Sequence, residues 1–354
     1  MPNHSFSARI VRWQRLHGRN DLPWQDPIEP YRVWLSEVML QQTQVTTVLP
    51  YFARALRQWP SVQALARAPE AEVMALWSGL GYYSRARNLH RCAQHIVANW
   101  GGEFPRRVEE LAALPGVGPS TAAAIASICF GEREAILDGN VRRVVARVRA
   151  FDADLAQAQA MRQLWDEARA LLPPQARGDT MRRYTQGLMD LGATVCLARA
   201  PRCDQCPVRA DCRAHAQDQV NRYPVKTRRA SRKHETWWFL CLRRSDGAVA
   251  LIQRPRSGIW GGMLAFPQFS DEADLQAAAA SIRAGDLAIA APITHSLTHR
   301  ELSLVFVQAR LTDAAPSEWN VKPGRPADQV QWHLPLKALK LALPRPISHY
   351  LKEI

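Results

Sequence analysis

Three sets of residues in this 354-residue sequence could do chemistry. Four of its seven cysteines, Cys196, Cys203, Cys206 and Cys212, follow the order C-x6-C-x2-C-x5-C with no histidine among them. An odd total, unevenly placed, reads as metal ligation in a reducing compartment rather than as disulfides. Four thiolates suit either zinc or a four-iron cluster, and spacing physics alone does not choose. Cys92, Cys129 and Cys241 lie apart and read as core thiols. The second candidate is Asp138, in the turn Ile136-Leu137-Asp138-Gly139-Asn140 ahead of the helical run Val141 to Val148. It reads as a plain helix cap or as a carboxylate kept ionised by a helix amino terminus. The third is Glu37, within the helical pattern Tyr31 to Val45, where Val33, Glu37, Leu40, Gln41 and Gln44 share one face. An isolated glutamate is more often a solvated helix residue; flanked by apolar groups, it can be desolvated until it holds a proton near neutrality.

The elements around these residues are legible from periodicity. Leu114-Pro115-Gly116-Val117-Gly118-Pro119-Ser120 joins two helical patterns, Arg107 to Ala113 and Thr121 to Phe130. Gly116 and Gly118 permit a tight turn with backbone N–H groups at a helix amino terminus, which suits a phosphate as well as an ordinary interhelical turn. Helical periodicity continues to about residue 217. After residue 234 the runs 237–242, 248–252 and 302–307 are strand-like, with one long helical pattern at 272–284. Between them, residues 220–233 carry six basic and no acidic side chains, as an exposed linker along a phosphate backbone would.

The domain boundaries expected are therefore 1–217, 218–233 and 234–354. The formal charge is 46 − 32 = +14, and 47% of residues are hydrophobic. That composition excludes a wholly disordered chain and an acidic-surface protein, and favours a polyanionic partner. No apolar run reaches the ~20 residues of a membrane span, and the amino terminus lacks the apolar core of a secretory leader. A cytoplasmic monomer is expected, nucleoid-associated if bacterial, with no membrane partner.

The hairpin followed by Asp138 resembles the helix-hairpin-helix DNA glycosylase superfamily that includes endonuclease III. The cysteine spacing is similar to that superfamily's [4Fe-4S] cluster. Ser36 to Val45 and Leu80 to Leu89 resemble the adenine DNA glycosylases (MutY-type) nearly residue for residue, densely over residues 6–217 and loosely beyond. The resemblance implies an all-α helix-hairpin-helix glycosylase domain, with a six-helix part at about 28–134 and a cluster part at about 1–27 plus 135–217. An α/β Nudix-like domain follows. It also implies base flipping in double-stranded DNA and excision of adenine mispaired with 8-oxoguanine or guanine. Glu37 would protonate the base, Asp138 would stabilise the oxocarbenium-like sugar or a covalent intermediate, and Asn140 would orient the turn. Two carboxylates in two protonation states is the pattern of glycoside hydrolysis generally. Gln42 and Tyr82 match residues that wedge into the duplex. Arg142 and Arg143 would join Gly116, Gly118 and Ser120 on the strand, with Arg199 and Arg202 in the cluster loop as further phosphate contacts. Ser120 stands where bifunctional relatives carry a Schiff-base lysine, so a monofunctional hydrolase is expected.

Residues 251–267 resemble the start of a Nudix domain, but Glu272 and Asp274 are followed by alanines rather than a metal-binding acidic helix, so pyrophosphatase chemistry is not expected. The family's opposite-strand loop usually reads Phe-Ser-His. Here Leu297, Thr298 and His299 stand in its place, keeping the hydroxyl and losing the ring. Competing readings are a thymine or uracil mismatch glycosylase on the same scaffold and a non-catalytic mismatch binder.

Overall fold

The amphipathic patterns of the first two hundred residues form helices, and the apolar runs after residue 232 form a sheet. The computed structural model describes residues 5–227, 232–311, 318–319 and 328–354. Its contacts divide into two compact units, Met1–Arg67 with Asn88–Arg228, and Ala68–Arg87 with Arg229–Ile354.

The helices in chain order are α1 (Phe6–His17), α2 (Pro30–Leu40), α3 (Val45–Gln58), α4 (Val62–Arg67), α5 (Glu70–Trp77), α6 (Ser84–Trp100), α7 (Val108–Ala112), α8 (Pro119–Phe130), α9 (Gly139–Arg149), α10 (Ala158–Ala170), α11 (Gly178–Thr194) and α12 (Arg213–Ala216). In the first unit α8 is the axial helix, packed against α2, α7 and α11. Every residue from Thr121 to Ile128 is buried. A helix apolar all round must sit inside, and its run of alanines lets the neighbours approach closely. Trp34 and Phe52 are fully buried beside it, and Tyr184 donates its hydroxyl to Leu171 O at 2.8 Å.

In the second unit the strands are β1 (Lys233–Arg243), β2 (Val249–Gln253), β3 (Leu264–Ala265), β4 (Gln268–Phe269), β5 (Ala284–Ile289), β6 (Ile293–Ser296), β7 (Arg300–Leu311), β8 (Glu318–Trp319) and β9 (Asp328–His333). The helices there are α13 (Glu272–Ser281), α14 (Pro335–Ala338) and α15 (Arg345–Tyr350). The sheet order is β5-β7-β1-β2-β9-β8. β1 and β7 run parallel from Lys233 opposite Arg300 to Arg243 opposite Arg310, and the other pairs are antiparallel. Residues 239–242 of β1 are buried on both faces, as a central strand covered on each side requires. Leu240 and Leu242 meet Leu275 and Ala279 of α13 on one face; on the other, Phe306 stacks on Tyr350 with centroids 4.1 Å apart.

Two expectations change. The helical pattern Tyr31 to Val45 is two helices, because α2 stops at Leu40 and Gln42 takes a left-handed backbone, φ 57°. Gln41 and Gln44 therefore do not continue the face of Glu37, since one backbone reversal resets the phase. The expected exposed linker is docked in its first part: Tyr223 is buried, Leu155 N–H donates to Val225 O at 3.1 Å, and Asp154 accepts from Thr227. Its residues 228–231 lie outside the described residues. Beside Glu272 and Asp274, Asp271 caps α13 by accepting from Asp274 N–H at 2.8 Å, and Glu272 accepts from the Gln276 amide at 3.0 Å.

Candidate functional site

The turn between α8 and α9 holds the first acid. Asp138 is the N-cap of α9, and its carboxylate accepts from Val141 N–H at 2.7 Å. Burial pushes its pKa above the ordinary carboxylate value, against the downward pull of the Val141 and Asn140 amides and of Arg143 and Arg142. Glu37, half-buried on α2, is raised to about 8, first by burial and then by the charge of Asp138. The two carboxyls are thus electrostatic neighbours, one of them holding its proton at neutral pH.

Ser120 accepts from Leu137 N–H at 3.0 Å, tying the start of α8 to the segment that leads into Asp138. Asn140 is held by Arg143, which donates to Asn140 Oδ1 at 2.9 Å, to Gly192 O at 2.5 Å and to Cys196 O at 2.7 Å. Arg143 was expected on a phosphate; its donors instead point inward, because the carbonyls ending α11 lie against this face of α9. Gly192 makes that approach possible, since a Cβ there would lie 2.7 Å from Asn140 Cβ. Arg142 is partly buried with no hydrogen bond to its Nε, and Arg199 and Arg202 are exposed.

The hairpin glycines differ from one another. Gly116 has φ +76°, and a Cβ there would meet Asn88 Cβ at 2.5 Å. Gly118 caps α8 at φ −85° with nothing within 4 Å of an added Cβ. The first glycine serves the chain's own turn; the second leaves open space in front of helix N–H groups.

Cys196, Cys203, Cys206 and Cys212 line one cavity together with Val144, Arg147 and His215. Among the described residues no three His, Cys, Asp or Glu side chains are grouped to hold a single ion. Four thiols lining one hollow are a donor set whose chemistry suits iron or zinc.

In the second unit, Tyr82 has φ +48° and is 45% exposed. Its loop is braced by buried Arg85, which donates to Leu80 O and Gly81 O at 3.1 and 3.2 Å and lies over the rings of Trp77 and Tyr82. The Tyr82 hydroxyl is 2.9 Å from Thr298 Oγ1. Leu297, Thr298 and His299 form the β6–β7 hairpin beside a cleft of about 500 Å³ that Trp260, His295 and Arg345 also line. His295 packs on Trp260, and burial, then Arg345, lower its pKa, keeping it neutral at physiological pH.

Residues 35–170 match the HhH-GPD superfamily of base excision DNA repair proteins, and residues 238–353 match a NUDIX domain. The adenine DNA glycosylase of Buchnera aphidicola subsp. Acyrthosiphon pisum is 34% identical over 272 residues, which cover 77% of this chain and 76% of that protein. The human adenine DNA glycosylase is 35% identical over 384 residues, covering 90% and 69%. The chain belongs to the adenine DNA glycosylase family. It is a DNA N-glycosylase with a helical domain followed by a Nudix-like one. Among solved structures, a thermostable thymine-DNA glycosylase aligns over 60% of this chain and 95% of its own, with TM-score 0.51 and 26% identity. Endonuclease III in a non-covalent DNA complex shares the fold, with TM-score 0.50 at 21% identity over 60% of this chain and 94% of its own.

Several residues of this glycosylase were silent in its sequence. Cys129 is only partly buried, and its thiol, pushed up to about 12 chiefly by burial, also feels Glu37 and Arg182, so it is not the plain core thiol expected. Next to it, Ile128 lines a cleft of about 670 Å³ with Gln25, Ile28, Arg182 and Gln186. Gln186 donates its amide to Asp190 at 3.0 Å, and that fully buried carboxylate also binds Arg19. No motif marks a polar residue on the inner face of a helix. The one available signal was the small residue Gly192 opposite the Asp138 turn.

Proposed function

We propose that this glycosylase hydrolyses the N-glycosidic bond of adenine mispaired with 8-oxoguanine or guanine in double-stranded DNA, acting as a monomer. What carries the reading is the pair of interacting carboxyls, Asp138 and a Glu37 pushed up to about 8 by burial and by the charge of Asp138. Adenine leaves poorly as an anion. Glu37 donates its proton to a ring nitrogen as the C–N bond breaks, so the base departs neutral. Asp138, anchored by the α9 amides, faces the positive charge that develops on the sugar, as an electrostatic partner or through a transient ester that water then opens. Asn140, held by Arg143, keeps the turn in place. Gln42 and Tyr82 are exposed side chains on left-handed backbone, suited to filling the gap left by an extruded nucleotide. Ser120 offers a hydroxyl engaged by Leu137 rather than an amine, which supports base removal without strand cleavage. Thr298 and the cleft beside it would meet the opposite base.

The four cysteines would hold a [4Fe-4S] cluster, which when bound would supply four iron–thiolate bonds fixing residues 196–212 and a one-electron centre. The alternative is a thymine mismatch glycosylase, favoured by the structural likeness to such an enzyme at 26% identity. Duplexes carrying A opposite 8-oxoguanine, A opposite G, T opposite G and U opposite G, treated with alkali after incubation, decide between them. Alkali-dependent breaks at A are expected; breaks confined to T or U would overturn the adenine assignment, and breaks before alkali would overturn the monofunctional one.

The hairpin gives a second expected outcome. Gly116→Ala is strained at φ +76° and crowds Asn88, so a loss of about 1–3 kcal/mol in urea denaturation is expected. Gly118→Ala has room and an ordinary φ, so its stability changes by no more than ~0.5 kcal/mol, while duplex affinity falls because the methyl stands where phosphate would approach. Unchanged affinity in Gly118→Ala would remove the clamp from the proposal.

A further inference from the structure

Arg147 lies on α9 one turn beyond Arg143 and is 2% exposed. Its Nη1 donates to Leu197 O at 2.7 Å and stands 3.3 Å from Cys196 Sγ. Its Nε reaches Val220 O and Tyr223 O, each at 3.1 Å, and Nη2 reaches Ala198 O at 3.4 Å. On the same residue, the backbone carbonyl accepts from the Cys212 thiol at 3.5 Å. Carbonyls satisfy the guanidinium's hydrogens but leave its charge without a counterion. Among the described residues no carboxylate lies within ion-pair distance of Arg147, unlike Arg9 or Arg19. An uncompensated buried cation is costly. The groups it faces across the cavity are the four thiols, which as ligands would be thiolates.

We propose that Arg147 is a positioning residue for the iron–sulfur group, holding a buried positive charge against the Cys196 ligand sulfur and thereby setting the group's reduction potential and its retention. The inference rests on the cluster reading given above. A cation hydrogen-bonded to a ligand sulfur stabilises the more reduced, more negative state of the cluster, so its removal lowers the potential. The same side chain clamps residues 197–198 to residues 220 and 223, so its loss also loosens the wall around the ligands. Charge and clamp separate experimentally, because lysine keeps the charge on a shorter arm with fewer donors.

The test uses full-length holoprotein purified without oxygen. Iron and sulfide content of the wild-type protein is measured first; zinc in place of iron would overturn the cluster reading and this inference with it. Redox titration followed by electron paramagnetic resonance then compares the wild type with Arg147→Gln and Arg147→Lys. Arg147→Gln is expected to lower the reduced-to-oxidised ratio at fixed potential about tenfold, 59 mV for one electron. Arg147→Lys is expected to fall between the two. Both variants should release iron to a chelator faster than the wild type. Should Arg147→Gln fail to hold its iron, Arg147→Lys against the wild type carries the decision. An iron-replete variant with an unshifted potential would overturn the inference and leave Arg147 a loop clamp.

Discussion

An Asp138→Asn variant is expected to fold, bind mismatched duplex and release adenine about 10³-fold more slowly than the wild type. The separation follows from the two tasks of one side chain. As N-cap of α9, the carboxylate accepts from Val141 N–H, and an asparagine amide oxygen accepts equally well. The denaturation midpoint should therefore stay within ~0.5 kcal/mol of the wild type. What the amide lacks is the negative charge that would face the sugar as the base departs. Asp138→Ala removes both functions and should also cost about 1 kcal/mol of stability. The comparison uses single-turnover base release alongside urea denaturation. A near-wild-type rate in Asp138→Asn would leave Asp138 as a cap and move the chemistry elsewhere.

Glu37→Gln should lower the rate by about 10²–10⁴-fold and remove its alkaline dependence. The proton on Glu37 is held up to about pH 8, so wild-type base release should be level towards neutrality and fall as pH rises through that value. Stability should move in the same direction. Because the folded-state pKa is raised from 4.5 to about 8, the folded chain binds the proton more tightly than the unfolded chain. The stabilising contribution is complete below the unfolded value and is lost as pH climbs through the folded one. At ~1.4 kcal/mol per unit, and with Glu37 still partly open to solvent, the loss between pH 5 and pH 9 amounts to roughly a few kcal/mol. The Glu37→Gln variant carries no such proton, so it should be slower yet more stable than the wild type at pH 9. Parallel pH–stability curves for the two proteins would show that Glu37 is an ordinary solvated glutamate.

How much of this was readable without the structure follows the range of each signal. Asp138 and the hairpin are local: glycines, a proline and a cap within a few residues announce a turn between helices, and the helices α7, α8 and α9 formed there. The cysteines announce themselves by spacing alone. The juxtaposition of Glu37 with Asp138 comes from the packing of α2 on α8, and neither helix carries a local mark of its partner. Arg143 read as a phosphate contact because charge is usually solvated, and nothing local marked Arg147; both turn inward, donating to the carbonyls of residues 192, 196 and 197. The end of α2 was hidden for another reason: Gln42 reverses the backbone without a glycine, so the apolar period runs through it. In the sheet, strands of two to six residues, such as β3 and β6, are too short for alternation to register.

Gln42 and Tyr82 hold the left-handed conformation without being glycine, at a cost of order 1 kcal/mol or more each; the Gln42 side chain is exposed, and that of Tyr82 is half exposed with its hydroxyl on Thr298. Glycine would hold either turn without that cost, so what Gln42 and Tyr82 add at these sites is their side chains rather than their backbone geometry.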